Sequence, residues 1–440
     1  MRTGFHYRDG QLFADELPVA SIVERVGTPL YIYSAGALRE GHERLARAFA
    51  ALDPLLCFAV KANANLAVLR LLADRGAGFD VVSGGELARA LRAGAAPDRI
   101  VFAGVGKRDD EIAAALEAGI LCFNVESVSE LERIEALATA RSVRARLALR
   151  VNPEVDPRTH AHIATGTRGA KFGLSRAAIA RAAERCRASE ALELVGLHAH
   201  IGSQIFEPAP YLDALERLLA LWDALRADGH PLRLLNLGGG FGVRYGEGPP
   251  LDLEALARGY AERIGQRALR LVLEPGRSIA ARAGLLVGRV LHVKRSGGRR
   301  VVVTDTGMHH LIRPALYGAY HTVWPVRADS PPESAGSAAL EPADVVGPIC
   351  ESADVLARER PLPPLARGDL LACFEAGAYA ATMASTYNGH PLPPELLVDG
   401  ERLRCVRRRQ RLEDLLALEC DDEIALQPGP SAAAAAQARS

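Results

Sequence analysis

Only four of the 53 basic residues in this 440-residue chain are lysines: Lys61, Lys107, Lys171 and Lys294. The other 49 are arginine. A lysine amine can lose its proton and attack a carbonyl, which a guanidinium cannot do. Lys61 directly follows the apolar run LCFAV (56–60) and precedes Asn63, Asn65 and a helix-like stretch. Burial at such a strand end is expected to lower its pKa and make it a competent nucleophile. Position alone divides evenly between that role and a lysine that leaves the core to solvate its head. Lys107, in GVGKRDD, fits an anion contact or no role at all. Lys171, in TRGAKFG, is expected to touch solvent or substrate, and Lys294 lies beside a surface turn.

Two glycine-rich segments raise the odds for Lys61. LNLGGGFG (235–242) contains Gly239 and Gly240, and EPGRS (274–278) contains Glu274, Pro275, Gly276 and Arg277. Successive glycines let backbone N–H groups converge on an anion with no Cβ in the way. Alone, GGG is a weak phosphate signal; followed by EPGR in the next loop, it is much stronger. A candidate Schiff-base lysine and a phosphate cradle together point to pyridoxal phosphate (PLP), which also needs a group facing its pyridine nitrogen. Glu274 is the candidate for that place. His200, in HAHIGSQ, is weighed as a structural histidine or as a flat ring stacked on the cofactor, with Ser203 near the phosphate. His198 is assigned to the opposite face of its strand, among the surrounding helices.

These residues need elements to hold them. Eight short apolar runs alternate with amphipathic, alanine- and arginine-rich segments: LCFAV, FDVV (79–82), IVFA (100–103), LCFN (121–124), RLALRV (146–151), LVGLHA (194–199), LRLLNL (232–237) and ALRLVLE (268–274). In NLAVLRLLADRG, Leu66, Leu69 and Leu72 recur at helical spacing and Gly76 supplies a stop. Strand and helix repeated eight times predict a (β/α)8 barrel over residues 36–280, with a doubly wound open sheet as the competitor. In a barrel Lys61 follows strand one, and the two glycine loops follow strands seven and eight, where barrels frequently bind phosphate. From 281 to 425 the pattern becomes β-rich, with LLVGRVLHV, RVVVT, DVVGP, DLLACF and ELLVDG separated by glycines and prolines. The N-terminal QLFADEL and TPLYIYS, within residues 1–35, are expected to pack with those later strands. Residues 426–440, LQPGPSAAAAAQARS, read as a low-complexity flexible tail.

Composition removes several classes. Formal net charge is zero, which gives no global drive toward nucleic acid. Hydrophobic residues at 49% and charged residues at 24% are ordinary globular values. No stretch approaches the roughly 18 apolar residues of a membrane span, and the start lacks a secretory h-region. Seven widely spaced cysteines make neither a disulfide framework nor a CxxC metal pattern. These features predict a cytoplasmic protein with no metal.

Through the motifs FAVKAN, FDVVSGGEL, FNVES, HIGSQ, LGGGFG, EPGRS, LIRPALYGAYH, GPICES and EAGAY, the chain resembles the alanine-racemase-like (fold type III) PLP-dependent decarboxylases, with a likeness that runs from about residue 5 to 420. The similarity is greatest to the branch acting on diaminopimelate. It implies Lys61 as the Schiff-base lysine and His200 stacked on the ring. It implies Gly239, Gly240 and the Glu274–Arg277 segment holding phosphate and pyridine nitrogen. Asp80, Glu86 and Arg150 match polar residues around the cofactor. Arg277, Arg313 and Tyr317 would hold substrate carboxylate, Tyr379 would contact cofactor and substrate, and Glu351 would meet the distal ammonium. Cys350, the implied proton donor, and Glu351 would reach the site across the interface of a head-to-tail homodimer. The implied reaction converts meso-2,6-diaminopimelate to L-lysine and CO2. A polyamine-pathway decarboxylase and a non-catalytic PLP carrier are the alternatives; the carboxylate-binding Arg313 and the added β-rich region argue against each in turn. His309 and His310 depart from the family, which often carries an Asn-Asp-like pair there, and Ala380 replaces a common glycine.

Overall fold

The computed structural model describes residues 4–156, 171–246, 248–334 and 340–422. Both the low-complexity tail and part of the PPESAGSAALEP segment lie outside them.

All eight apolar runs form parallel strands, and they close on themselves. The barrel strands are Leu55–Ala59, Gly78–Val81, Ile100–Phe102, Cys122–Val125, Ala145–Arg150, Leu192–His198, Leu234–Asn236 and Arg270–Leu273. The eighth pairs with the first through Val272↔Leu55 and Leu273↔Leu56, which rules out the open sheet. These strands are continuous apolar runs because one face packs inside the barrel and the other beneath the helices. Two buried layers result. Phe58, Phe79, Phe102, Phe123 and Leu147 belong to the large cluster shared with the helices, whereas Cys57, Val101, Ala148 and Val272 form a separate one.

The helix after strand one, Leu66–Ala73, begins where Asn65 accepts a hydrogen bond from the Ala67 N–H (2.9 Å). That cap fixes the chain direction just beyond Lys61.

The β-rich region is a nine-stranded sheet built on the long strand Gly284–Ser296. This strand pairs with Arg299–Thr304, with Leu370–Cys373 and with the N-terminal strand Leu30–Ser34. Leu30–Ser34 also pairs in parallel with Glu395–Asp399, so the chain start is built into the C-terminal sheet. The earliest strands, Phe5–Arg8, Gln11–Ala14 and Leu17–Pro18, make a small sheet of their own. Three further strands had no clear sequence signal: Val323–Pro325, Val355–Leu362 and Arg402–Arg407. No helix among the described residues is long and apolar enough to cross a membrane.

Candidate active site

Lys61 lies in a single 3-10 turn, Val60–Ala62, at the C-terminal end of strand one. Its Nζ is 2.6 Å from Oδ2 of Asp80, which is fully buried at the equivalent end of strand two. This pairing corrects the expected pKa direction. Burial does pull the amine down, but the charges of Asp80, Tyr379 and Glu274 outweigh it and hold Lys61 above its ordinary value. The Lys61 side chain keeps 38% of its surface exposed, in a cavity of about 810 Å³ that Asn63, Glu86, Tyr317 and Tyr379 also line. Burial raises Glu86 to about 7, against the pull of the Val82 N–H that it accepts at 2.9 Å.

Glu274 follows strand eight and reaches into the barrel. Its Oε1 accepts from Nδ2 of Asn124 (3.1 Å) and Nδ2 of Asn236 (2.7 Å). Its Oε2 is 3.4 Å from Nε2 of His198. His198 therefore does not sit among the helices. Residues i and i+2 of a strand share a face, so His198 points inward, as strand alternation requires. Burial would raise Glu274, but His198 first and then Lys61 hold it well below the usual carboxylate range. It stays ionised in a buried position, as a partner to a cationic ring nitrogen must.

His200 follows strand six, and its Nδ1 accepts from the Gly239 N–H at 3.1 Å. Burial, with Lys61 and Arg150 adding to it, lowers His200 to about 3, so the ring is neutral. Arg150 pairs with Glu126 and stacks on Phe172, 4.6 Å from its guanidinium carbon to the ring centre.

The glycine loops fit a phosphate-bearing cofactor on steric grounds. A Cβ at Gly239 would come within 2.0 Å of the Glu274 carbonyl oxygen. At Gly240, where φ is +92°, one would meet the Gly202 carbonyl at 2.1 Å. Any side chain would wedge these loops apart. Two polar atoms in this region, Asp80 Oδ1 and Ser278 Oγ, are buried without a hydrogen-bond partner among the described residues. Such orphans belong beside a polar ligand rather than in a closed core. An amine, a glycine cradle and a buried ionised carboxylate are what PLP requires.

A second group of residues lies beyond Tyr379 and is not part of that cavity's lining. The Arg277 guanidinium lies over the Tyr379 ring (4.6 Å) and donates to Tyr245 Oη (2.9 Å) and Ser203 Oγ (3.3 Å). Arg313 lies over the Tyr245 ring (4.7 Å) and contacts His321. Both guanidiniums are buried, at 8% and 5% exposure, and neither pairs with a carboxylate among the described residues. Burial pulls Arg313 below its ordinary value, and the neighbouring Arg277 charge adds to that pull. Unpaired buried cations are costly, so this corner is built for an anion.

Cys350 and Glu351 are both exposed and do not line the Lys61 cavity of their own chain. The Cys350 N–H donates to Asn388 Oδ1 (2.9 Å). Asp354, which sequence reasoning missed, holds their loop in place. Its carboxylate accepts from the N–H groups of Met308 (2.6 Å) and Ile349 (2.7 Å). A second missed anchor is Glu395, which accepts from Tyr33 Oη (2.8 Å), Asn65 Nδ2 (3.0 Å) and Arg407 Nη1 (3.1 Å). It ties the loop after Lys61 to the β-rich sheet. A buried acid in a strand, like Glu395, or in the loop just before one, like Asp354, carries no motif, so neither was legible from one sequence.

Among the other lysines, Lys107 is structural. Its side chain is fully buried against Glu130 (2.7 Å) and the carbonyls of Gly104 (2.8 Å) and Asn124 (2.9 Å), so its amine is taken up within the chain rather than offered to a ligand anion. Lys171 and Lys294 are exposed.

The family model "Pyridoxal-dependent decarboxylase, pyridoxal binding domain" matches residues 35–281. Fold and site thus define a PLP-dependent decarboxylase with an alanine-racemase-like barrel. Among known proteins, the diaminopimelate decarboxylase of Pseudomonas aeruginosa is 48% identical over 420 residues, 94% of this chain and 98% of its own. The crystal structure of diaminopimelate decarboxylase from Helicobacter pylori complexed with L-lysine superposes with a TM-score of 0.86 at 38% identity, covering 91% of this chain and 98% of the other. The M. jannaschii diaminopimelate decarboxylase in co-complex with L-lysine gives 0.89 at 34%, covering 95% and 98%. The chain belongs to the diaminopimelate decarboxylase family.

Proposed function

We propose that this protein decarboxylates meso-2,6-diaminopimelate to L-lysine and CO2, the last step of lysine biosynthesis, as a cytoplasmic homodimer with shared active sites. The observation that carries the substrate choice is the pair of buried guanidiniums, Arg277 and Arg313, without a carboxylate partner among the described residues. They meet a substrate that brings its own carboxylates. An ornithine-like amino acid has no second carboxylate for Arg313.

PLP, when bound, supplies a carbonyl for amine attachment and a ring that takes up electrons as CO2 leaves. The residues of the chain do the rest. Lys61 is the attachment point, and Asp80 holds its Nζ at the cavity wall. Glu274 keeps a negative charge where the ring nitrogen would lie. His200 offers a neutral flat face, with its orientation fixed by the Gly239 N–H. Gly239, Gly240, Gly276 and Ser203 flank the phosphate position. Arg277, Arg313 and Tyr317 hold carboxylate, and Tyr379 lies between Lys61 and Arg277. Cys350 returns a proton to the carbon that lost CO2, and Glu351 receives the distal ammonium. The exposure of both supports their acting in the site of the second protomer.

Release of CO2 from a panel of diaminopimelate, ornithine, arginine and lysine tests the substrate. Release from diaminopimelate alone is expected. Release from ornithine or arginine with none from diaminopimelate would sink the reading.

A further inference from the structure

The LIRPALYGAYH motif ends in His321, a residue for which neither the resemblance nor the reaction has a use. It is completely buried. Its Nδ1 lies 2.9 Å from the Phe374 carbonyl oxygen, and its Nε2 lies 2.8 Å from Arg313 Nη1. Chemistry assigns the tautomer. A carbonyl only accepts, so Nδ1 carries the hydrogen. A guanidinium only donates, so Nε2 presents its lone pair. The ring is neutral and orients Arg313 from behind. Protonation would aim an N–H at a cation, and burial together with Arg313 lowers His321 to about 3.

Tyr245 completes the arrangement from another element. Its ring meets His321 edge-on, with centroids 5.0 Å apart. Arg313 lies over the same ring, and the Tyr245 hydroxyl accepts from Arg277. Its own backbone is held where Thr322 Oγ1 donates to the Tyr245 carbonyl (3.3 Å). One aromatic ring therefore touches both guanidiniums, and one imidazole sets the direction of the second.

We propose that His321 and Tyr245 are positioning residues. They hold Arg313 and Arg277 in the geometry that recognises the substrate carboxylates. His321 in particular gives the enzyme its discrimination for the end of the molecule that survives the reaction. This rests on the reading of the substrate given above. The product L-lysine keeps one carboxylate, whereas cadaverine has none. The two diamines therefore separate carboxylate recognition from everything else the pocket does.

The test uses the holoenzyme, with cofactor absorbance confirming an intact site in each variant. His321→Leu removes the acceptor. It is expected to raise KM for diaminopimelate and weaken L-lysine inhibition by about tenfold each, the size of one hydrogen bond to a charged group. Turnover at saturation should change by less than about twofold, as when an interaction common to ground and transition state is removed. Cadaverine inhibition should stay unchanged. His321→Gln, which restores an acceptor, should recover most of the loss. Tyr245→Phe, which keeps the ring but removes the hydroxyl, should cost about threefold in KM, a smaller loss because Arg277 keeps a second acceptor in Ser203 Oγ. Unchanged KM and L-lysine inhibition in His321→Leu would overturn the proposal. So would an equal loss of cadaverine inhibition, the mark of a merely disturbed pocket. Nitrogen-15 NMR of the histidines, with His321→Gln to assign the signal, tests the geometry without any substrate. It should show a protonated Nδ1 and a bare Nε2 at neutral pH, and the opposite tautomer would also overturn the idea. Wild-type protein that fails to turn over diaminopimelate would refute the substrate reading instead, while the NMR result would still decide the His321 geometry.

Discussion

Inside the barrel, buried charges find counter-charges from the same chain: Lys61 with Asp80, and Arg150 with Glu126. At the mouth, Arg277 and Arg313 are also buried but, among the described residues, meet only hydroxyls, an imidazole and aromatic rings. Burying an ion without a partner costs several kcal/mol, by order of magnitude, so the mouth gives up stability that the barrel keeps. Such a sacrifice is understandable where the counter-charge arrives with a ligand. The barrel interior is thus a self-contained cofactor platform, and in the function proposed above the mouth is a half-site completed by substrate and by Cys350 and Glu351 of a second protomer.

The largest expected effect comes from the barrel side. Lys61→Arg keeps the positive charge opposite Asp80, so the fold should hold. A guanidinium cannot attack a carbonyl, and CO2 release should fall by about a thousandfold or more, roughly 4 kcal/mol or more of barrier. Borohydride treatment followed by peptide mapping should leave a pyridoxyl group on Lys61 in the wild type and on no residue in the variant. Labelling of Lys107 instead would break the assignment.

Cys350→Ala tests the mouth. Loss of a positioned proton donor should lower turnover by about a hundredfold. Its pairing with Lys61→Arg tests the shared site. When the two inactive proteins are mixed and allowed to exchange subunits, each hybrid dimer regains one intact site. About a quarter of wild-type activity should return, as two-fold symmetry dictates. No recovery, with exchange verified by mass, would place Cys350 in the site of its own chain and remove the contrast between platform and half-site.

Much of this contrast was legible in the sequence, for a physical reason. Parallel barrel strands are buried on both faces, so they appear as uninterrupted apolar runs, and the loops after them carry motifs with fixed spacing. The β-rich region was harder. Val355–Leu362 and Arg402–Arg407 lie at the two edges of the sheet path, and arginines there obscure the alternation. Lys61, Glu274 and the glycine loops could be found because their chemistry demands particular residue types. Tyr245, His321, Asp354 and Glu395 act through other residues, and any of them alone reads as an ordinary buried side chain. Asp80 was found by resemblance, but its short contact to Lys61, which reverses the expected pKa shift, depends on the register of strands one and two.

Acid should separate the regions less sharply. His310 and His321 are buried, and burial lowers them to about 2 and about 3. In the unfolded chain both return to about 6.5. Below that value the unfolded state binds protons that the folded state refuses, so stability is full above about pH 7 and falls as pH drops toward those folded values. The slope is about 1.4 kcal/mol per pH unit for each histidine. Thermal unfolding of the holoenzyme between pH 7 and 5 measures it, and His321→Gln should make the decline shallower. An equal slope in that variant would show that His321 is already charged near pH 5.

Lys107 gives the smallest expected effect on turnover and the sharpest internal control. It is a barrel lysine at the C-terminal side of strand three, as Lys61 is for strand one, yet its amine is closed off by Glu130 and two backbone carbonyls. Lys107→Met leaves the Glu130 carboxylate buried opposite an apolar chain. Breaking one side of a buried pair typically costs about 3–5 kcal/mol, so the midpoint of thermal unfolding should drop clearly. Values of kcat and KM for the protein that remains folded should stay within about twofold of wild type, because an intact cofactor platform makes the same transition-state contacts. If the variant keeps its stability but loses turnover, Lys107 reaches the reacting groups after all, and the barrel holds two chemically active lysines instead of one.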